Sequence, residues 1–586
     1  MRLFSLHIIG FLVFGGILVC ESYNPCCSLP CMNSGVCVLV DQNYECDCTA
    51  TGHYGKNCET GNKLFRPSRN SLHHLMTHYA WVWKIVNSIS WLQKKIMRTV
   101  LNVRTKFVQE PSPYVGMSEY PTWNNYINKS VYARSLPPIP RHCPTPMGIK
   151  GPTVLPDIEV LSKLIFQRNN FEPCPMRTNV FFAFFAQHFT HQFFKTDPKK
   201  GIPFQWGDHS VDLSHIYGDT LAREHSLRMH IDGKMKYSTQ NGEMFPPLTS
   251  EANVTMSGER LMKGRKFAIG HPGFAAIPTF FVISTLWLRE HNRVCDIMKE
   301  LHSDWDDERI FQTARLILTG ETLKIIVEDY VQHVSGFHFQ LKYEPEVLHG
   351  SDFSYHNQIH SEFQLLYHWH TLLPDFLKLG DSIYTLKELL FNVEPVVNAG
   401  METVLKQLSE QFAGKVRGRN QGPELIAVAE LSIKQARELR MYPFNKYRER
   451  FGLKPYETFE ELTGEQKLAS VLRDLYHDID ALEMYVGFFV EHRRYRQVLG
   501  ETILEIGAPF SLKGVFGNPI GSPAWWKPST FGGEVGFNII KTTNLKKFVC
   551  RNVKGCPDIS FKVPENVKYK SVEKNVEKGA GIADIL

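Results

Sequence analysis

Two short runs of the chain carry residue types that could do chemistry together. Gln187 and His191 stand four positions apart inside the apolar stretch Val180–Phe194. On a helix they share a face one turn apart. A neutral imidazole there can move a proton from one peroxide oxygen to the other while the amide holds the same oxygens. Read alone, a histidine in an apolar helix is equally a satisfied core residue. The second run is Tyr367-His-Trp-His370. On a helix, Tyr367 and His370 share a face at i, i+3, with His368 turned away. A histidine can ligate a heme iron axially, and a phenol one turn away could give up an electron. Aromatic packing explains the same letters. A third run, Asp208-His-Ser-Val-Asp-Leu-Ser214, sets oxygen-bearing side chains at every second position, Asp208, Ser210, Asp212 and Ser214. Alternating hard ligands suit calcium; a solvated polar loop has the same composition.

The rest of the chain must position these residues. Its 586 residues allow about four average domains, or one large domain with small attachments. Apolar residues make up 43% and charged residues 22%, which excludes a mostly disordered chain. The net charge of +6 is too small over this length to argue for a nucleic-acid partner. From residue 105 onward the pattern is mainly α, with helical periodicity strongest over Thr313–Val334 and Glu424–Arg440. Ala268–Leu288 lacks charged residues but contains His271, Pro272, Gly273 and Pro278. It reads as a buried loop and helix rather than a membrane span.

The N-terminal part differs. Arg2 followed by an uncharged run to Cys20 reads as a secretory signal over residues 1–21. The sequons at Asn128 and Asn253 fit the secretory pathway. Eight of the thirteen cysteines lie within Cys20–Cys58, a density that suits an oxidising compartment. Residues 24–60 resemble an EGF-like module, too small to bury a sufficient core without disulfides. Over residues 61–104, Trp81, Trp83 and Trp91 alternate with apolar residues and with Lys84, Lys94, Lys95 and Arg98. That spacing suits short amphipathic helices. They could lie in one membrane leaflet or belong to a soluble core.

The ordered combination is more specific than any run within it. Gln187-His-Phe-Thr-His191, Ile216-Tyr-Gly-Asp219, Trp287-Leu-Arg-Glu-His-Asn-Arg293, Tyr367-His-Trp-His370, Gly507-Ala-Pro-Phe-Ser-Leu-Lys-Gly514 and Lys527-Pro-Ser-Thr-Phe-Gly-Gly-Glu-Val-Gly536 follow one another. With the EGF-like module and the amphipathic segment, this closely resembles the prostaglandin-endoperoxide synthases, or cyclooxygenases, of the animal heme peroxidase superfamily. The resemblance implies a heme-peroxidase-type catalytic domain over residues 105–586 and heme b as cofactor. It implies substrates that include arachidonate or a similar fatty acid, O₂ and hydroperoxides. It also implies a homodimer on the lumenal face of the endoplasmic reticulum. His191 would be the distal histidine, with Gln187 beside it, and His370 the proximal ligand. Tyr367 would be the radical residue. Arg104 would bind the substrate carboxylate, while Tyr330, Val331, Phe337, Glu505 and Ser511 would line the channel. The implied disulfides are Cys26–Cys37, Cys31–Cys46, Cys48–Cys58, Cys27–Cys143 and Cys550–Cys556.

Several positions depart from the family pattern. Phe337 stands where a channel-mouth tyrosine is usual, so a hydroxyl is lost. Asn392 is not followed by a sequon, and the Ala-Asp-Ile-Leu end is only distantly like a retrieval signal. Superfamily members that bind calcium carry an Asp beside the distal histidine, where this chain has Gln192. Two thiols remain outside the implied pairs. Cys295 should be buried in an apolar helix. Cys174, flanked by Pro173 and Pro175, should lie in an exposed extended loop and could bridge to a second copy. A heme peroxidase without fatty-acid oxygenation and an EGF-containing adhesion protein are the rival readings.

Overall fold

The computed structural model describes residues 24–61 apart from 34, 42 and 50, then 69–143, 147–148, 151–152 and 154–570. The expected signal lies outside these residues. Two units separate, Met1–Asn62 and Lys63–Leu586.

In the first unit, β1 (Val36–Val40) pairs antiparallel with β2 (Asn43–Asp47), setting Cys37 directly opposite Cys46. The strands are largely exposed, so burial cannot hold them. Disulfides Cys26–Cys37, Cys31–Cys46 and Cys48–Cys58 do so by restricting the unfolded chain.

The second unit is helical; its strands, among the described residues, are short two-stranded pairs. Three helices open it: α1 (Arg69–His78), α2 (Ala80–Ser88) and α3 (Ser90–Arg104). Met76, Trp83, Met97 and Leu101 are buried, whereas Leu75, Tyr79, Trp81, Ile85, Trp91 and Val103 are exposed. One apolar row therefore docks the helices, and another is left facing outward. Asn87 and Gln93 secure the docked side by donating to the carbonyls of His338 and Gln340. No helix among the described residues is long and apolar enough to cross a membrane.

The core is built around α4 (Val180–Thr190), α5 (Pro278–Leu301) and α6 (Asp307–Ile325). Asn179 caps α4 by accepting from Phe182 N–H at 2.9 Å. Nearly every residue of α4 is buried, as its uniformly apolar sequence requires. Pro278 starts α5, where its missing N–H costs nothing. The Trp287–Arg293 run proves to be packing and cross-linking. Trp287 donates to Thr322 Oγ1 at 2.9 Å, and buried Glu290 pairs with Arg293 and Arg551. The periodic stretch 313–334 continues past α6 through a widened π turn, Ile326–Val331, into Gln332–Ser335. Three further helices complete the site: α7 (Ser361–Leu366), α8 (Ile426–Glu438) and α9 (Glu501–Phe516). Cys550–Cys556 closes the turn that follows the helix Leu545–Asn552.

Cys295 is fully buried. Cys174 corrects the expectation: it is 2% exposed, with Sγ 3.2 Å from Thr178 Oγ1. The Pro-Cys-Pro segment is extended, as its prolines dictate, but it bridges to Gly414, and Cys174 N–H donates to Ala413 O. The chain then turns at Pro175-Met176, closed by Arg177 N–H on Cys174 O at 2.9 Å, so Pro175 is exposed while Cys174 faces the core. A bridge from Cys174 to a second copy is thereby removed.

Candidate active site

His191 caps the C-terminus of α4, one turn after Gln187. Its Nδ1–H donates to Gln187 O at 2.6 Å, which leaves the other ring nitrogen free to accept a proton. Gln187 and His191 are partly exposed in an otherwise buried stretch, so both open onto a crevice. Burial holds the His191 imidazole below its ordinary pKa against the opposing hydrogen bond to Gln187, and the Lys195 ammonium adds a smaller push downward. The base is therefore unprotonated near neutrality.

Sequence reasoning missed the groups around it. His271 lies 5.8 Å from His191, ring to ring, and stacks on Phe274 at 4.4 Å. His188 contacts His215 edge-on and binds Ser284 Oγ at 2.9 Å. His215, His271, Phe274 and Ser284 come from segments remote from the Gln187–His191 run, so no local spacing announces them. Lys195 is buried, lies 4.6 Å over the Trp206 ring and donates to Ser214 Oγ at 2.8 Å. The Asp212, Asp219 and Asp208 carboxylates face its charge.

That ammonium decides the Asp208–Ser214 loop. Ser214 Oγ is bonded to Lys195, and Asp212 Oδ1 accepts from Ser214 N–H at 2.8 Å. Asp208 is exposed and accepts from His209 N–H. The Ser214 hydroxyl and the Asp212 carboxylate, two of the expected calcium ligands, are thus engaged by Lys195 and by the loop's own backbone.

Across the crevice, Tyr367 and His370 do not share one helix as expected. α7 ends at Leu366; Tyr367 is its cap, and a 3₁₀ turn begins at His370. The turn has its own supports. Trp369 stacks on Tyr367 at 4.6 Å, and Trp369 N–H donates to Tyr367 O at 2.9 Å. His368 turns away to Ser432 Oγ on α8, at 2.8 Å. His370 is partly exposed, and its buried Nδ1 lacks a hydrogen-bond partner. Burial brings its pKa down to about 4, with the facing His191 contributing. A neutral imidazole opposite a second neutral imidazole is a residue that would hold a heme iron.

Tyr367 joins this crevice to a narrow apolar cavity. The cavity is lined by Phe189, Tyr330, Val331, Tyr367, Phe510 and Ser511, among others. Its free volume is about 20 Å³, so a fatty acyl chain enters only as side chains part. The Tyr367 hydroxyl is 3.5 Å from Ser511 Oγ. Burial raises its pKa, so the phenol keeps its hydrogen. Tyr330 and Val331 sit on the π turn, a widening common at functional sites. Ser511 follows Pro509, which interrupts α9.

Arg104 ends α3 and pairs with Glu505; a second contact, Nη2 to Oε1, is 3.3 Å. Phe337 lies 6.2 Å from the His73 ring and offers no hydroxyl. The sequon residues Asn128 and Asn253 are partly and fully exposed.

Residues 207–564 match the animal haem peroxidase family. In shape the chain resembles the rice fatty acid alpha-dioxygenase, with a TM-score of 0.62, 16% identity, and coverage of 83% of this chain and 96% of that one. It also resembles peroxidase A of Dictyostelium discoideum, with a TM-score of 0.60, 18% identity, and coverage of 78% and 99%. Fold and crevice thus define a heme-dependent peroxidase. Prostaglandin G/H synthase 2 of Equus caballus is 49% identical over 96% of this chain and 95% of its own length. The Gallus gallus synthase 2 is 50% identical over 92% and 91%, and the Mus musculus synthase 1 is 49% identical over 92% of each chain. The chain belongs to the prostaglandin G/H synthase family. It is an oxidoreductase with dioxygenase and peroxidase activity.

Proposed function

We propose that the chain oxygenates arachidonate or a similar fatty acid to a prostaglandin endoperoxide and then reduces the resulting hydroperoxide. One observation carries the reading: Tyr367, a buried phenol, stands between the crevice shared by His191 and His370 and the apolar cavity walled by Ser511. His370 would hold heme b. Heme, when bound, supplies the oxidising power that draws an electron from Tyr367.

The chain's own residues do the rest. The free nitrogen of His191 accepts the hydroperoxide proton and returns it to the leaving oxygen, giving an alcohol. The Gln187 amide steadies the same oxygens. Tyr367, as a phenoxyl radical, takes a hydrogen atom from the fatty acid in the cavity; two O₂ then add to the carbon radical, and the last peroxyl radical takes the hydrogen atom back from Tyr367 to give the hydroperoxide. Arg104 exchanges Glu505 for the substrate carboxylate, while Tyr330, Val331 and Phe337 shape the channel. Residues 61–104 hold the protein on one leaflet through the exposed Trp81, Ile85 and Trp91. The reading also includes a homodimer, a lumenal position, a Cys27–Cys143 bridge and glycans on Asn128 and Asn253.

Oxygen uptake with arachidonate, with and without hemin, tests it. Hemin-dependent uptake is expected; none in either condition would refute it.

A further inference from the structure

A large cleft lies away from the narrow Tyr367 cavity. It encloses about 770 Å³, within the range of small-molecule sites. Cations come to it from four segments: Arg177; Lys415 and Arg417; Arg493 and Arg496; and Lys562. Some of this charge is met at the walls. Arg417 pairs with Glu465 at 2.8 Å and Glu172 at 3.3 Å, and Lys562 with Glu565 at 2.6 Å. Glu491 also lines the cleft but is committed to Arg448 at 2.7 Å.

Two guanidinium groups are left over. Arg493 spends Nη1 on Val498 O at 3.0 Å, while its Nη2 is buried and has no acceptor. Among the described residues Arg496 donates only to Gly336 O, at 3.3 Å. Among the described residues, neither makes an ion pair. The strain shows in Arg493, whose pKa is pulled down to about 10, first by burial and partly by the neighbouring Arg417. A buried donor without a partner carries a standing cost that a suitable acceptor would remove. Guanidinium forks match the paired oxygens of a phosphate.

We propose that this cleft binds a phosphate-bearing anion, seated on Arg493 and Arg496. Its source could be soluble or a lipid headgroup, because the rim adjoins the amphipathic helices. His73 of α1 contacts Tyr495 O at 3.0 Å, and His78 packs 4.7 Å from the Tyr495 ring.

The test uses full-length, heme-loaded protein in detergent and inorganic pyrophosphate as probe, followed by calorimetry. Saturable binding is expected, weakened about tenfold or more in Arg493→Gln and in the more open Arg496→Gln. Oxygen uptake and the Soret band should not change. If Arg493→Gln misfolds, the affinity of Arg496→Gln decides. A second arm compares sedimentation with phosphatidylcholine vesicles containing one-fifth phosphatidic acid. Lower binding by the variants assigns a headgroup; equal binding, with pyrophosphate affinity lost, assigns a soluble phosphate. Pyrophosphate and vesicle binding that are both absent in wild type, or both unchanged in the two variants, would overturn the proposal.

Discussion

The two sides of the crevice use burial to opposite chemical ends. On the His191 side, burial and a nearby ammonium keep imidazoles unprotonated, so they accept protons. On the Tyr367 side, burial keeps phenols protonated, so they retain a hydrogen atom to give. One physical cause, the penalty on charge in a low-dielectric interior, thus makes a base on one side and a hydrogen donor on the other. The two activities should therefore be separable by single substitutions.

The sharpest separation is Tyr367→Phe. Oxygen uptake should fall to background while peroxidase turnover stays within about twofold, since the imidazoles are untouched. Retained uptake would break the comparison. His191→Ala is the converse. Peroxidase turnover should drop about 10²–10⁴-fold, the usual worth of a positioned proton carrier, with thermal stability nearly unchanged. Stopped-flow rates with a hydroperoxide would show it.

Stability tests the same burial argument away from the crevice. Glu110 is buried beside Lys513, and burial lifts its pKa to about 7. The folded state therefore holds a proton that the unfolded state releases near its ordinary value. Between about pH 4.5 and 7 the unfolded chain binds fewer protons, so stability falls as pH rises, by up to roughly 3 kcal/mol. Glu110→Gln should lose that slope in thermal melts; an unchanged slope would exclude Glu110 as its origin.

Smaller effects sharpen the picture. Lys195→Met removes the ammonium facing His191 and should raise the imidazole pKa, so that the acid limb of the peroxidase pH profile moves upward. Phe337→Tyr restores a hydroxyl at the channel mouth. It should lower KM for arachidonate a few-fold, the worth of one hydrogen bond of about 1 kcal/mol, with kcat unchanged.

What can be read from the letters follows the range of the interactions. Gln187 and His191 are one helical turn apart, so spacing alone places them together. The helices at 69–104, 307–335 and 426–438 follow from apolar periodicity. Cys295 follows from its apolar helix. Tyr367 and His370 defeat the same logic because the helix ends at Leu366, and the Ser432 bond to His368 that holds the following turn comes from tertiary packing. Lys195 is invisible as a cation for the Asp208–Ser214 loop because it belongs to another segment. Cys174 escapes the sequence because prolines specify an extended backbone but not which way the thiol between them points.

Pro509 also acts mechanically. Lacking an N–H, it cannot complete the helical rung to the carbonyl of Glu505, four residues earlier. Glu505 is also the residue whose side chain holds Arg104. α9 is therefore two stiff levers joined at a missing rung. One lever carries the carboxylate paired with Arg104, and the other carries the serine beside Tyr367. Bending at that joint can open one end of the channel without dragging the other out of register.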